Sequence, residues 1–256
     1  MLKEIGYRNL NGLNVLLPKI NHFLSKIEDG FSFIKVNHGF WCLASGDSYW
    51  GDPYLKIFDK LLLDEVKKII FNIKKYDIDL AISPVGAPQQ IHTKISDLSE
   101  FIKKSLPSDY LPYYAVCWKI YALSGDLTNF LEKIIEKKII VVGLEHLLEI
   151  NKKFPNHSIE NFVLNFESSK PFNRNKVFEE LKEKIKPNTV FLFQAGDILS
   201  TWLIHKLSSY RVKTCSLIDM GRALDYYCSN KYLNKKDSEL YPLPLDNFYD
   251  QPWLRK

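Results

Sequence analysis

The chain of 256 residues lacks several patterns on which large function classes depend. Its four cysteines, Cys42, Cys117, Cys215 and Cys228, lie far apart with no C-x-x-C pair, which argues against a zinc knuckle or a disulfide framework and fits a reducing compartment. The six histidines form no H-x-x-x-H or H-x-H, so there is no zinc signature. No G-x-S-x-G elbow, Walker loop, H-E-x-x-H or G-x-G-x-x-G occurs, and the enzyme classes that need them drop out. No apolar run approaches about 18 residues, so no membrane span is expected. The opening MLKEIGYRNLNGLN has no apolar core, so no signal peptide is expected and the protein is assigned to the cytoplasm. Internal repeats and Gly/Ser-rich linkers are also missing. The expectation is one continuous domain over 1–256, with a Pro- and Tyr-rich surface-wrapping tail over 230–256.

What is present is an ordinary globular composition, 46% apolar and 25% charged, able to bury a sizeable core. The net charge of +5 is spread out in Lys-Lys pairs that mostly sit at helical spacing beside apolar residues. These read as solvated helix faces, with no nucleic acid as partner, while the basic balance suits a phosphate-bearing small ligand.

Apolar periodicity sets the elements. Leu13, Leu16, Leu17, Ile20, Phe23, Leu24 and Ile27 predict a helix over 12–28, closed by Asp29-Gly30. FSFIKV (31–36) predicts a strand that breaks into a tight turn at Asn37-His38-Gly39. A helix over 55–74, a strand over 77–83 and a helix over 96–105 follow. YYAVCWKIY (113–121) fits a strand or a buried helix, and 126–136 is helical. Strands over 138–143, 161–166, 189–196 and 212–219 then alternate with helices over 145–154, 176–185 and 198–207. That rhythm predicts an α/β fold: a Rossmann-like, doubly wound, mostly parallel sheet flanked by helices.

In such a sheet ligands bind beyond the carboxyl ends of the strands. The rule selects Asn37-His38-Gly39, Ser83–Pro88 with Gly86, Gly143-Leu144-Glu145-His146, Gln194-Ala195-Gly196-Asp197 and Asp219-Met220-Gly221-Arg222. At Gly196 a strand passes directly into a helix, whose first N–H groups and dipole favour an anion such as a diphosphate. Asp219 ends the next strand, where a dinucleotide fold places an acid on a ribose hydroxyl. Arg222 has the fork to hold a phosphate, and Asp225 stands at the spacing to pair with it. The alternative is that Asp219 caps the turn and Arg222–Asp225 is a surface ion pair. His38 and His146 sit at strand ends, where a structural role and a catalytic role both remain open.

The order of these motifs resembles the GT-D glycosyltransferase fold family. The resemblance rests on FIKVNHGFW (33–41), IIVVG (139–143), FLFQAGDILSTWLIHKL (191–207) and LIDMGRALD (217–225), and spans roughly 12–228. It implies a nucleotide-sugar donor, a carbohydrate acceptor and hexosyl-type transfer. In the classical members an Asp-x-Glu in the opening turn holds a divalent metal. Here His38 and Phe40 stand at those positions with Gly39 between them, and phenylalanine cannot ligate a metal. The resemblance therefore implies either a metal-independent enzyme or an inactive sugar-nucleotide-binding or scaffold domain in glycan assembly. A different Rossmann-like enzyme using a dinucleotide or S-adenosylmethionine is the remaining rival. The candidate residues are His38 and Asp219 for catalysis and Asn37, Gly39, Gly86, Gly143, Gly196, Arg222 and Asp225 for substrate binding. No cofactor and no metal ligand is expected. The loop SGDSYWGDPY, with Asp47 and Asp52, reads either as an acceptor site or as a plain surface loop.

Overall fold

The computed structural model describes residues 5–10, 12–46, 60–83, 95–165, 168 and 170–228. Gly86, Asp47, Asp52 and the expected tail from Asn230 lie outside them. Among the described residues nine strands make one sheet: β1 (Ile5–Leu10), β2 (Leu13–Pro18), β3 (Ser32–Val36), β4 (Asp79–Ile82), β5 (Tyr113–Tyr114), β6 (Lys138–Gly143), β7 (Ile159–Val163), β8 (Thr189–Gln194) and β9 (Ser216–Asp219). Their order is β1-β2-β5-β4-β3-β9-β8-β6-β7. Only the β1–β2 pair is antiparallel; every other neighbouring pair is parallel. The fold is thus the expected Rossmann-like, mostly parallel α/β sheet.

The described helices are α1 (Ile20–Asp29), α2 (His38–Ser45), α3 (Lys60–Phe71), α4 (Ile95–Ser105), α5 (Cys117–Ser124), α6 (Asp126–Lys133), α7 (Ile150–Lys153), α8 (Pro171–Lys182) and α9 (Asp197–Ser208). Strands β3, β8 and β9 are buried along their whole length. Central parallel strands covered on both faces read as near-continuous apolar runs for this reason. Phe33 of β3 packs edge-on against Phe23 of α1 and Trp118 of α5, the heart of an aromatic cluster that includes Tyr113 and Tyr121. Helix α9 lies along β3 and β9 and packs on α3 and α8.

Three local expectations are corrected. The helix expected over 12–28 is a strand followed by a helix. In β2, Leu13, Val15 and Leu17 point inward, while Asn14 is exposed and Leu16 half-buried, a period of two that the clustered leucines disguise. Gly12, at φ +80, turns this strand back onto β1, which no periodicity announced. Pro18 closes the strand, and the helix begins only at Ile20. Secondly, Asn37-His38-Gly39 is not a turn between a strand and a loop. Asn37 is the extended N-cap of α2, and His38 is that helix's first residue. Thirdly, 145–154 is a 3-10 helix (Glu145–Glu149) that widens into the single α-helical turn of α7. The ambiguous 113–121 divides into β5 and the start of α5.

Candidate functional site

The topology locates a crevice. From β3 the chain departs through α2 towards β4, on one side. From β9 it enters a 3-10 helix (Ala223–Tyr227) that packs chiefly on α5 and also touches the 3-10 helix following β6. The parallel neighbours β3 and β9 bring their carboxyl ends side by side, the edge at which such sheets bind ligands. The β8–α9 connection, Ala195-Gly196, enters the same place.

A charged trio occupies its floor. Lys35, near the end of β3, is 5% exposed, and its ammonium meets Asp197 Oδ1 at 2.7 Å. Asp197 Oδ2 accepts the Asn37 backbone N–H at 2.8 Å, so one carboxylate ties the first turn of α9 to the β3 tip. The Lys35 stem runs across Gly221: a Cβ there would lie 2.1 Å from Lys35 Cε, and φ at Gly221 is +58. Close passage and a left-handed backbone both require glycine. Asp219 is 1% exposed; its Oδ1 accepts the Gly221 N–H at 2.8 Å, while Oδ2 closes no hydrogen bond, although the Lys35 backbone N–H lies near enough to the carboxyl to favour its charged form.

The electrostatics follow from burial and proximity. Burial alone would lower the Lys35 pKa, but Asp197 and Asp219 outweigh it and hold the ammonium above the usual lysine value. Burial pushes the Asp219 carboxyl up to about 7; Lys35 opposes this and Asp197 adds to it. The His38 imidazole is lowered, chiefly by burial, with Asp197 opposing and Lys35 reinforcing. At neutral pH the site therefore holds a lysine cation, an uncharged imidazole and a carboxyl close to its midpoint.

A second cluster lies at the tips of β6, β8 and β9. Asp225, 4% exposed, receives His146 Nε2 at 2.9 Å and Gln194 Nε2 at 2.5 Å on Oδ1, and Arg222 Nε at 2.7 Å on Oδ2. Gln194 Oε1 in turn accepts the Leu224 N–H at 3.2 Å. The Arg222–Asp225 pair exists, but its acid is buried, so it is not a surface ion pair; Arg222 itself is 57% exposed along its side chain.

The sequence candidates fall into groups. Around the crevice Gly196 and Arg222 are exposed and Asn37, His38 and Gly39 half-buried, with the His38 ring nitrogens and Asn37 Oδ1 shielded from solvent and open space beside Gly39 and Gly196. Gly196 has φ +79, which favours glycine whatever the ligand. Gly143 is buried, where a Cβ would meet Leu147 and the Gln194 carbonyl at 2.5 and 2.9 Å, so packing explains it. Asp219 lies buried within reach of Lys35. Lys35 was not among the candidates, and Asp197 stood in a selected loop without a role of its own. The signal for Lys35 was a lone cation inside an otherwise apolar strand, which demands a carboxylate partner.

The opening turn does not fit the divalent cation that the resemblance implies. Phe40 offers no ligating atom and packs on Trp41, ring centroids 5.1 Å apart. Among the described residues no group of three His, Cys, Asp or Glu is placed to hold a metal ion. No described helix is long and apolar enough to cross a membrane. A separate cleft of about 490 Å³, lined by Lys26, Phe31, Ser32, Asp77 and Asp79 among others, opens near the amino ends of β3 and β4, away from the strand tips. No protein-family model matches the chain and no curated protein matches it, so the site is interpreted from its own chemistry.

Proposed function

We propose that the chain is a glycosyltransferase-like protein that takes a nucleotide-sugar into the β3/β9 crevice and transfers the sugar to a carbohydrate acceptor without a divalent metal. The observation that carries this reading is the convergence of the β3, β8 and β9 tips on one crevice with a buried Lys35–Asp197–Asp219 trio at its floor. Arg222, more than half exposed at the edge, meets the diphosphate and its growing charge as the sugar–oxygen bond breaks. His38, uncharged at neutral pH, takes the proton of the acceptor hydroxyl as that oxygen attacks the anomeric carbon. Gly39 and Gly196 leave room for the ligand beside the backbone. Asp219 is a positioning residue in this reading, since it lies within reach of Lys35 and has almost no exposed surface.

A second reading is a non-catalytic module that binds a sugar nucleotide within a glycan-assembly system. Phe40, in place of a ligating carboxylate, is the observation that favours it. One screen separates these readings from the wider Rossmann-like class. Thermal unfolding is followed with UDP-, GDP- and dTDP-sugars, NAD and S-adenosylmethionine, each with and without EDTA. Stabilisation by a nucleotide-sugar that survives EDTA supports the proposal, and donor turnover with a carbohydrate acceptor then distinguishes enzyme from binding module. Stabilisation by NAD or S-adenosylmethionine alone refutes both.

A further inference from the structure

Two oxygen atoms at the crevice, Asn37 Oδ1 and Asp219 Oδ2, are shielded from solvent and have no hydrogen-bond partner. Buried polar atoms in folded proteins are nearly always paired, and unpaired ones concentrate where a ligand completes the set. Asp197 adjoins both residues: it bonds to the Asn37 N–H and is within electrostatic reach of Asp219. Its carboxylate is one-fifth exposed, with Oδ1 fixed by Lys35 and Oδ2 by Asn37. Each of those oxygens retains a further lone pair. The unpaired and half-used oxygens here are acceptors, beside the donors that Lys35 and the Asn37 amide already turn towards Asp197. A phosphate would bring more acceptors, and negative charge beside Asp197. A sugar brings hydroxyl donors. Asp197 also supplies the negative charge that the amino end of α9 favours, which removes the reason to seat a diphosphate there.

We propose that Asp197 is the sugar-recognising residue of the site: its carboxylate accepts a hydrogen bond from a hydroxyl of the donor's sugar, and Lys35 and Asn37 are the positioning residues that aim it. The inference rests on the nucleotide-sugar reading and adds to it an orientation. The sugar lies over Asn37 and Asp197, and the diphosphate lies towards Arg222.

The test compares calorimetric binding of UDP-, GDP- and dTDP-sugars with binding of the matching free nucleoside diphosphates. The wild-type protein binds its nucleotide-sugar at least tenfold more tightly than the corresponding diphosphate. Asp197→Asn abolishes that preference and leaves diphosphate binding unchanged or tighter, because a negative charge has gone. Lys35→Met reduces the preference in the same direction. Thermal unfolding checks that each variant is folded. Where Asp197→Asn is not, Asp197→Glu, which keeps the charge and displaces the oxygens, shows the same loss. An Asp197 variant that retains the tenfold preference overturns this inference and leaves the proposed function standing. A wild-type protein that binds none of these compounds overturns both. Equal loss of nucleotide-sugar and diphosphate binding in a folded Asp197 variant overturns the role in sugar recognition.

Discussion

Asp225 and Asp219 are both buried carboxyls at the carboxyl end of the same sheet, six positions apart in the chain, yet their surroundings differ in one decisive respect. Asp225 has both oxygens engaged, with His146 and Gln194 on one and Arg222 on the other. Asp219 has one oxygen engaged by a backbone N–H and the other unpaired. A fully satisfied network rigidifies what it joins, and a partly satisfied one keeps capacity for something further. The Asp225 cluster is thus a clamp that pins the 3-10 helix after β9 to the tips of β6 and β8. The Lys35–Asp197–Asp219 trio is the poised half of the site.

The largest test of that contrast is Asp225→Ala, which strands the His146 and Gln194 donors in a buried place and releases Arg222. It lowers unfolding free energy by about 3 kcal/mol, measured by urea denaturation. Loss below about 1 kcal/mol would dissolve the distinction between clamp and poised site. Next in size is Gly221→Ala, which meets the Lys35 stem and forces a side chain onto a left-handed backbone. A loss of about 2 kcal/mol is expected, partly recovered in the Gly221→Ala, Lys35→Ala double variant if the clash with the stem is the cause.

Asp219→Asn makes a third, subtler change. Since folding raises this carboxyl from its ordinary value of 3.8 to about 7, the native state holds the proton more tightly than the unfolded chain does between those values. Wild-type stability from this group accordingly falls as pH rises through that window and is fully lost above it. Denaturation curves at a series of pH values show the asparagine variant gaining progressively on the wild type between pH 4 and pH 8. A constant difference across the range would remove the argument that Asp219 is strained. Smallest in stability is Arg222→Ala, below about 1 kcal/mol because most of the side chain is exposed, although nucleotide-sugar affinity falls about tenfold.

The parts of the fold legible in the sequence were those where one physical signal dominates. KIIVVG and TVFLFQ are buried on both faces, so their apolar runs and the residues that follow announce parallel strands and their tips. LNVLLP was illegible because its leucines satisfy both a period of two and a helical one; pairing with β1 decides between them. The site was half visible. The loops were selected by topology, so Asn37, His38, Gly196 and Asp219 were found together with Arg222 and Asp225. Lys35 and Asp197 escaped because their meaning lies in each other, and 162 positions separate them in the chain. His146 became informative only through Asp225, 79 positions on. Local pattern shows at most that a buried lysine needs a carboxylate, and says nothing of which one.

The passage of the Lys35 stem over Gly221 also constrains descent. A lineage that keeps a long basic residue at position 35 is bound to keep glycine at 221, and one that widens 221 must shorten 35 in the same interval. These two positions should therefore be inherited as a unit, and a collection of sequences in which they vary independently would point to a different arrangement of the crevice floor.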